Sequence, residues 1–247
     1  PQKAVLNDIN VRLMNFYKDI QKNYTIVRQQ LAELQTTYET NQRKYSSLKN
    51  IMPSERIENK NESLYYLIRD IFNKKISSNY LDSVVYFFIN KTAYSGMIRY
   101  NAQGEFNVPF GRYKNFNTQL ITIKHHKLLK KATLLTGDYS PTFSMASEND
   151  FEMATEHDFM FLDPPYDCIF NDYGNINITN GFNEDEHRRL AKNFQKLKCK
   201  ALMIIGKTPL TLELYKNFIR EEYFKSYAVN IRNRFKSESQ HIIVTNY

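Results

Sequence analysis

Residues 159–167, Phe-Met-Phe-Leu-Asp-Pro-Pro-Tyr-Asp, constrain this chain more than any other stretch. Four apolar residues read as a short buried strand, and the two prolines end it abruptly because neither has an N–H to give to a ladder. Asp163 is thereby placed at the carboxyl end of a strand. Strand-like and helical segments alternate through the rest of the chain, which predicts an α/β fold. The carboxyl edge of such a sheet is where ligands bind.

These residues suit chemistry on an exocyclic amine. The amine of adenine is a poor nucleophile because its lone pair is delocalised into the ring. Asp163 can accept one of its N–H groups and the Pro164 carbonyl the other. The nitrogen is then drawn toward a tetrahedral geometry whose lone pair can attack an electrophilic methyl in line. Pro165 has no N–H to compete for that carbonyl, and Tyr166 offers a flat face to an extruded base. A strand followed by a Pro-Pro turn, with a solvated Asp and a packed Tyr, is the alternative that these four residues alone leave open.

In its context the stretch resembles the Asp-Pro-Pro-Tyr motif of amino-group DNA methyltransferases. Three further stretches narrow the resemblance to the Dam-type (D12 class, alpha-group) DNA adenine-N6 methyltransferases. These are Asn7-Asp8-Ile9-Asn10 after a short apolar strand, the helical pattern Tyr65-Tyr66-x-x-Arg69-x-x-Phe72-Asn73, and the run from Arg99-Tyr100-Asn101 to Arg112-Tyr113-Lys114. The resemblance implies a Rossmann-like methyltransferase sheet with a C-terminal antiparallel hairpin and an inserted helical and hairpin DNA-recognition lobe. It also implies S-adenosylmethionine as cofactor and double-stranded DNA as partner. Residues 1–50 with 132–247 are expected to form the catalytic domain, and residues 51–131 the recognition lobe with its bracing helices, Arg69 and Asn73 among the braces.

Asp163, Pro164, Pro165 and Tyr166 are the expected catalytic residues. Read by itself, Asp8 either caps the helix that follows it or accepts the hydroxyls of a ribose. The resemblance implies the ribose of S-adenosylmethionine. Asp138 and Tyr139 close another strand, where a carboxylate can meet an amine and a ring can stack; the resemblance implies that they hold the cofactor's adenine, with Asp163 alongside. For residues 94–114, composition alone describes a basic hairpin with a turn at Asn101-Ala102-Gln103-Gly104. An arginine there can pair with guanine, Tyr94 or Met97 can wedge into a stack, and Arg112 and Lys114 can hold phosphates. The resemblance implies that Arg99 reads guanine, that Tyr94 fills the disrupted stack and that Met97 and Pro109 touch bases. Asn101 lies in the same region, and Ser95 stands where Dam-type enzymes usually have Asn. A G-A-T-containing target such as GATC is expected.

The net charge of +8 favours a polyanionic partner. Two cysteines make neither a disulfide framework nor a zinc site, and the neighbouring His125 and His126 point to different faces of a helix, so no metal is expected. No apolar run reaches membrane-spanning length, and a cytoplasmic setting (a bacterial nucleoid or a phage-infected cell) is expected. Helices are expected over 11–49, 64–73, 84–89, 116–131, 186–196 and 211–223, with a polar loop over 53–62 and strands over 132–135 and 201–205. A lid over 168–181 and a final hairpin of strands 226–231 and 241–245 follow, with Arg232, Arg234 and Lys236 on the loop between those strands. Dam-type enzymes begin with a lysine-bearing segment and a Phe-x-Gly-x-Gly-like loop, whereas the first glycine here is Gly96. Three expectations arise: a fragment of a longer product, a second chain supplying that segment, or a non-catalytic DNA-binding subunit.

Overall fold

The computed structural model describes residues 2–147, 157–166, 182–226 and 238–247, and the chain divides into two compact units, Pro1–Asp138 and Tyr139–Tyr247. The expected lid at 168–181, the loop carrying Arg232, Arg234 and Lys236, and Asp167 lie outside the described residues.

The first unit opens with strand β1 (Ala4–Asp8), which pairs in parallel with β2 (Ala132–Thr136). Everything between these strands is a long crossover. Helix α1 (Val11–Lys22) is capped by Asn10, whose side chain accepts the Arg12 and Leu13 N–H groups. The helix expected over 11–49 is broken at Asn23, whose side-chain amide and backbone N–H both turn back to Asp19. Helix α2 (Tyr24–Ile51) then buries Val27, Leu31, Leu34 and Tyr38 at helical spacing. Leu48 at its far end is exposed, so the apolar stripe runs past the core.

Helix α3 (Lys60–Phe72) begins inside the expected loop because Asn59 caps it. Helix α4 (Asp82–Thr92) is buried on nearly all sides, as its run Val-Val-Tyr-Phe-Phe-Ile requires. These helices share one core, in which Phe88 meets Tyr38 and Phe116 edge to face. The helix expected over 116–131 shrinks to α5 (Ile123–Leu129). Thr118 is buried and bonds Gln35 through both its backbone N–H and its hydroxyl, and Thr122 forms a capping box with His125. These polar side chains satisfy the backbone outside a helix and fix where it can start. His126 bonds the Ile20 carbonyl and packs on Tyr24.

The second unit has a four-stranded sheet ordered β3-β4-β6-β5, formed by β3 (Phe159–Leu162), β4 (Lys200–Gly206), β5 (Ile219–Ser226) and β6 (Glu238–Thr245). β3 and β4 are parallel, and β6 and β5 complete the sheet as antiparallel strands. The expected C-terminal antiparallel hairpin is present, but its first strand is Ile219–Ser226 where 226–231 was expected, and residues 227–231 lie outside the described residues. Helix α6 (Ser140–Ser147), which the sequence reading passed over, α7 (Glu184–Phe194) and α8 (Pro209–Tyr215) accompany the sheet. Ala201, Met203 and Ile205 of β4 face Ile242 and Val244 of β6 in a core with Leu190, Phe194 and Tyr215. The helix expected to reach residue 223 stops at Tyr215. Residues 219–226 are extended instead, because their backbone pairs with β6. β3 departs from the fully buried strand expected of it: Phe159 and Phe161 are 58% and 57% exposed, so only one face of the strand is covered.

Candidate active site and DNA-recognition ribbon

In the first unit, β1 and β2 bring Asp8 and Asp138 to one carboxyl edge. The Gly137 N–H donates to the Asp8 carbonyl at 3.1 Å, and the Asn7 side chain donates to the Asp138 carbonyl at 2.9 Å. Asn10, and not Asp8, caps α1. The Asp8 carboxylate instead accepts the Asn10 N–H at 2.7 Å through one oxygen, and its other oxygen has no partner among the described residues. Half-buried Asp8 thus keeps an acceptor available at a strand end, which is what a pair of ribose hydroxyls requires. Tyr86, buried close by, has its hydroxyl pKa raised by burial and further by the Asp8 charge, so it stays neutral beside that carboxylate.

In the second unit, Asp163 directly follows β3 and is exposed, with Pro164, Pro165 and Tyr166 half-buried behind it. Tyr139 packs edge to face on Phe143 at 4.9 Å, and the Arg189 guanidinium lies 4.6 Å over its ring. Arg189 is anchored by Glu186 and by the Ser140 hydroxyl.

The candidate recognition residues lie on an irregular two-armed ribbon. Its arms join through the bridges Ala93↔Phe110 and Tyr100↔Phe106 and through hydrogen bonds from the Asn107 N–H to Arg99 and from the Tyr94 N–H to Pro109. Phe106, Val108 and Phe110 are buried, so the alternating residues Asn107 and Pro109 face outward. Exposed Arg99 sits opposite Asn107 and exposed Tyr94 opposite Pro109. The structure thus gathers Tyr94, Arg99 and Pro109 on one outward surface. Met97 is half-buried against the core.

Two of the expected DNA contacts have local work. The Asn101 carboxamide oxygen accepts the Gln103 and Glu105 N–H groups, which shapes the turn. Arg112, with φ of 54°, points toward Glu62 at 3.7 Å beside an open pocket of about 510 Å³ whose lining includes Arg56 and Tyr45. Lys114 is exposed and has no ion pair among the described residues. Ser95 is left-handed, with φ of 54°, a conformation that Asn adopts more readily than Ser. Gly111 is required by close approach: a Cβ there would lie 2.9 Å from the Ala93 carbonyl oxygen.

The ribbon is braced from α3. The Asn73 carboxamide clamps the Phe106 backbone in both directions, at 3.0 Å and 2.8 Å, and the buried Tyr65 hydroxyl donates to the Val108 carbonyl. Burial raises the Tyr65 pKa. Lys75 and Asn101 hold the Glu105 carboxyl below the usual carboxylate range, which keeps the Lys75–Glu105 pair ionised at neutral pH. Asn73→Ala strands one donor and one acceptor, and is expected to lower stability by about 1–3 kcal/mol. Urea unfolding checks this; an unchanged midpoint would mean that water replaces the clamp.

Two residues escaped the sequence reading. Asn107 accepts the Arg99 Nε–H at 2.9 Å, which fixes the guanidinium, and its terminal nitrogens have no partner among the described residues. The alternation of Phe106, Val108 and Phe110 was the available signal. His241 packs against Tyr166 at a ring separation of 5.1 Å; only strand register reveals it. The charge is also uneven. Residues 1–138 hold 21 Lys and Arg against 11 Asp and Glu, a net of +10, whereas the remainder, at 13 against 15, is slightly acidic. The excess lies in the unit that carries the ribbon.

A family model described as D12 class N6 adenine-specific DNA methyltransferase matches residues 1–230. The chain is 29% identical to the type II methyltransferase M.CviBI of Paramecium bursaria Chlorella virus NC1A, over all of this chain and 82% of that protein. It is 30% identical to the type II methyltransferase M.MjaIII of Methanocaldococcus jannaschii, over all of this chain and 81% of the relative. It is also 30% identical to the DNA adenine methylase of Haemophilus influenzae, over 70% of this chain and 60% of that enzyme.

Proposed function

Because this chain belongs to the D12 class of N6 adenine-specific DNA methyltransferases, we propose that it uses S-adenosylmethionine to methylate adenine N6 within a G-A-T-containing duplex site such as GATC. The observation that carries this reading is an exposed Asp163 at the carboxyl end of β3, followed by two prolines and a half-buried tyrosine. S-adenosylmethionine supplies a sulfonium-bound methyl group, a strong electrophile that needs no metal. Asp163 and the Pro164 carbonyl accept the two N–H groups of the adenine amine, and Tyr166 stacks on the extruded base. Asp8 offers a carboxylate oxygen to the cofactor's ribose, Asp138 takes the adenine amine, and Tyr139 stacks on the adenine ring. On the ribbon, Arg99 reads guanine, Tyr94 fills the space vacated by the base and Met97 and Pro109 touch bases. Ser95 and Asn101 flank them, and Arg112 and Lys114 hold phosphates. Functionally, residues 51–131 serve recognition, while 1–50 and 132–247 serve catalysis. Among the described residues no helix is long and apolar enough to cross a membrane.

The direct test is incubation with isotopically labelled S-adenosylmethionine and a GATC duplex, digestion to nucleosides and identification of the labelled product. Label in N6-methyladenine supports the proposal; label in N4-methylcytosine, or none at all, refutes it. The cofactor contact has its own readout. Asp8→Asn is expected to weaken S-adenosylmethionine binding by about ten- to a hundredfold, the worth of a charged hydrogen bond. Calorimetry measures this without turnover, and an unchanged affinity would remove Asp8 from the site.

A further inference from the structure

We propose that His241 is a positioning residue for methyl transfer, holding the Tyr166 ring at the angle at which it receives the target base. This rests on the reading of Tyr166 as the base-stacking side chain. His241 lies opposite Gly206, the last residue of β4, and opposite Tyr223 of β5. Along β6 it alternates with Ile242 and Val244, so it faces away from the core those residues join, yet it is only 1% exposed. Aromatic rings help to cover it. Tyr223 stacks on His241 at 5.3 Å with 21° between the planes, and Tyr166 meets it at 5.1 Å and 71°.

Tyr166 also lies near the end of β4. A Cβ built on Gly206 would lie 3.6 Å from the Tyr166 Cβ, which is ordinary contact, so the tyrosine lies beside the end of β4 without being pressed by it. The ring contact that orients Tyr166 is therefore the edge-to-face one with His241. An apolar β-branched residue would suit position 241 better by strand propensity and burial. The imidazole brings a flat ring to this position, and edge-to-face packing fixes orientation where an aliphatic side chain only fills space.

The test compares His241→Ala, which removes the ring, with His241→Phe, which keeps one. On a cognate duplex, His241→Ala is expected to lower kcat about three- to tenfold, with KM for duplex and for S-adenosylmethionine within about twofold of wild type. With 2-aminopurine at the target position, emission of the enzyme-bound duplex should shift as stacking on Tyr166 loosens. His241→Phe should restore both. Wild-type kcat and emission in His241→Ala would overturn the proposal, as would a His241→Phe variant as slow as the alanine. Should His241→Ala fail to fold, Tyr223→Leu on β5 removes the outer ring; lowered kcat there supports the proposal and unchanged kcat overturns it. A wild-type chain that methylates no adenine would instead defeat the functional reading beneath it.

Discussion

Asp163→Ala is expected to lower methyl transfer at least about a hundredfold while leaving duplex affinity within about twofold of wild type. The separation follows from the role proposed for the carboxylate. Adenine's amine gains nucleophilicity only when its lone pair leaves conjugation with the ring, and a charged acceptor favours that change as positive charge develops on nitrogen. The interaction is therefore stronger in the transition state than in the bound ground state, so its loss falls on kcat rather than on binding. Asp163 is exposed directly beyond β3 and has no partner among the described residues, so its removal should leave the fold intact. Single-turnover rates measured alongside duplex titration decide the matter. A variant that turns over within tenfold of wild type would mean that the amine is held elsewhere. Loss of duplex binding together with rate would mean that Asp163 serves ground-state recognition.

The legible parts of this chain were those whose chemistry is local. β3 and the turn after it could be read because apolar residues, then prolines, leave the backbone few options. α4 could be read because its apolar run is continuous, and the turn at Asn101 because its Asn and Gly restrict the backbone. Misplaced boundaries share one cause. Asn23, Thr118 and Thr122 end or delay helices through side-chain hydrogen bonds that hydrophobic periodicity does not register. Residues 219–223 carry no strong preference of their own and become strand by pairing with β6. The one-sided exposure of β3 was equally invisible, since four apolar residues in a row conceal which face is covered. Among the candidate site residues, Asp8, Asp163 and Arg99 are proposed from residue type and motif alone. Asn107 and His241 depend on which residues lie opposite one another, a property of register that residue identity alone does not state.

That dependence on register sets the second large effect. Arg99→Ala is expected to remove about 1–3 kcal/mol of discrimination at one guanine, a roughly five- to 150-fold loss in the ratio of kcat/KM between a GATC duplex and one altered at that base pair. Arginine recognises guanine through two parallel hydrogen bonds, and both form only if the guanidinium plane is already oriented. Here the Asn107 side chain accepts the Nε–H, and its backbone N–H bonds the Arg99 carbonyl, so fork and strand are fixed by the same partner. Asn107→Ala should accordingly lose part of the same discrimination, and the double variant should lose no more than Arg99→Ala alone, since a brace has nothing to orient once the fork is gone. Additive losses would show Asn107 acting on DNA independently of Arg99. An unchanged ratio in Arg99→Ala would move the reader to another outward residue of the ribbon. A uniform loss of affinity for every sequence would instead make Arg99 a phosphate contact, because a charge on the backbone weakens all duplexes alike and only a contact to a base edge distinguishes among them.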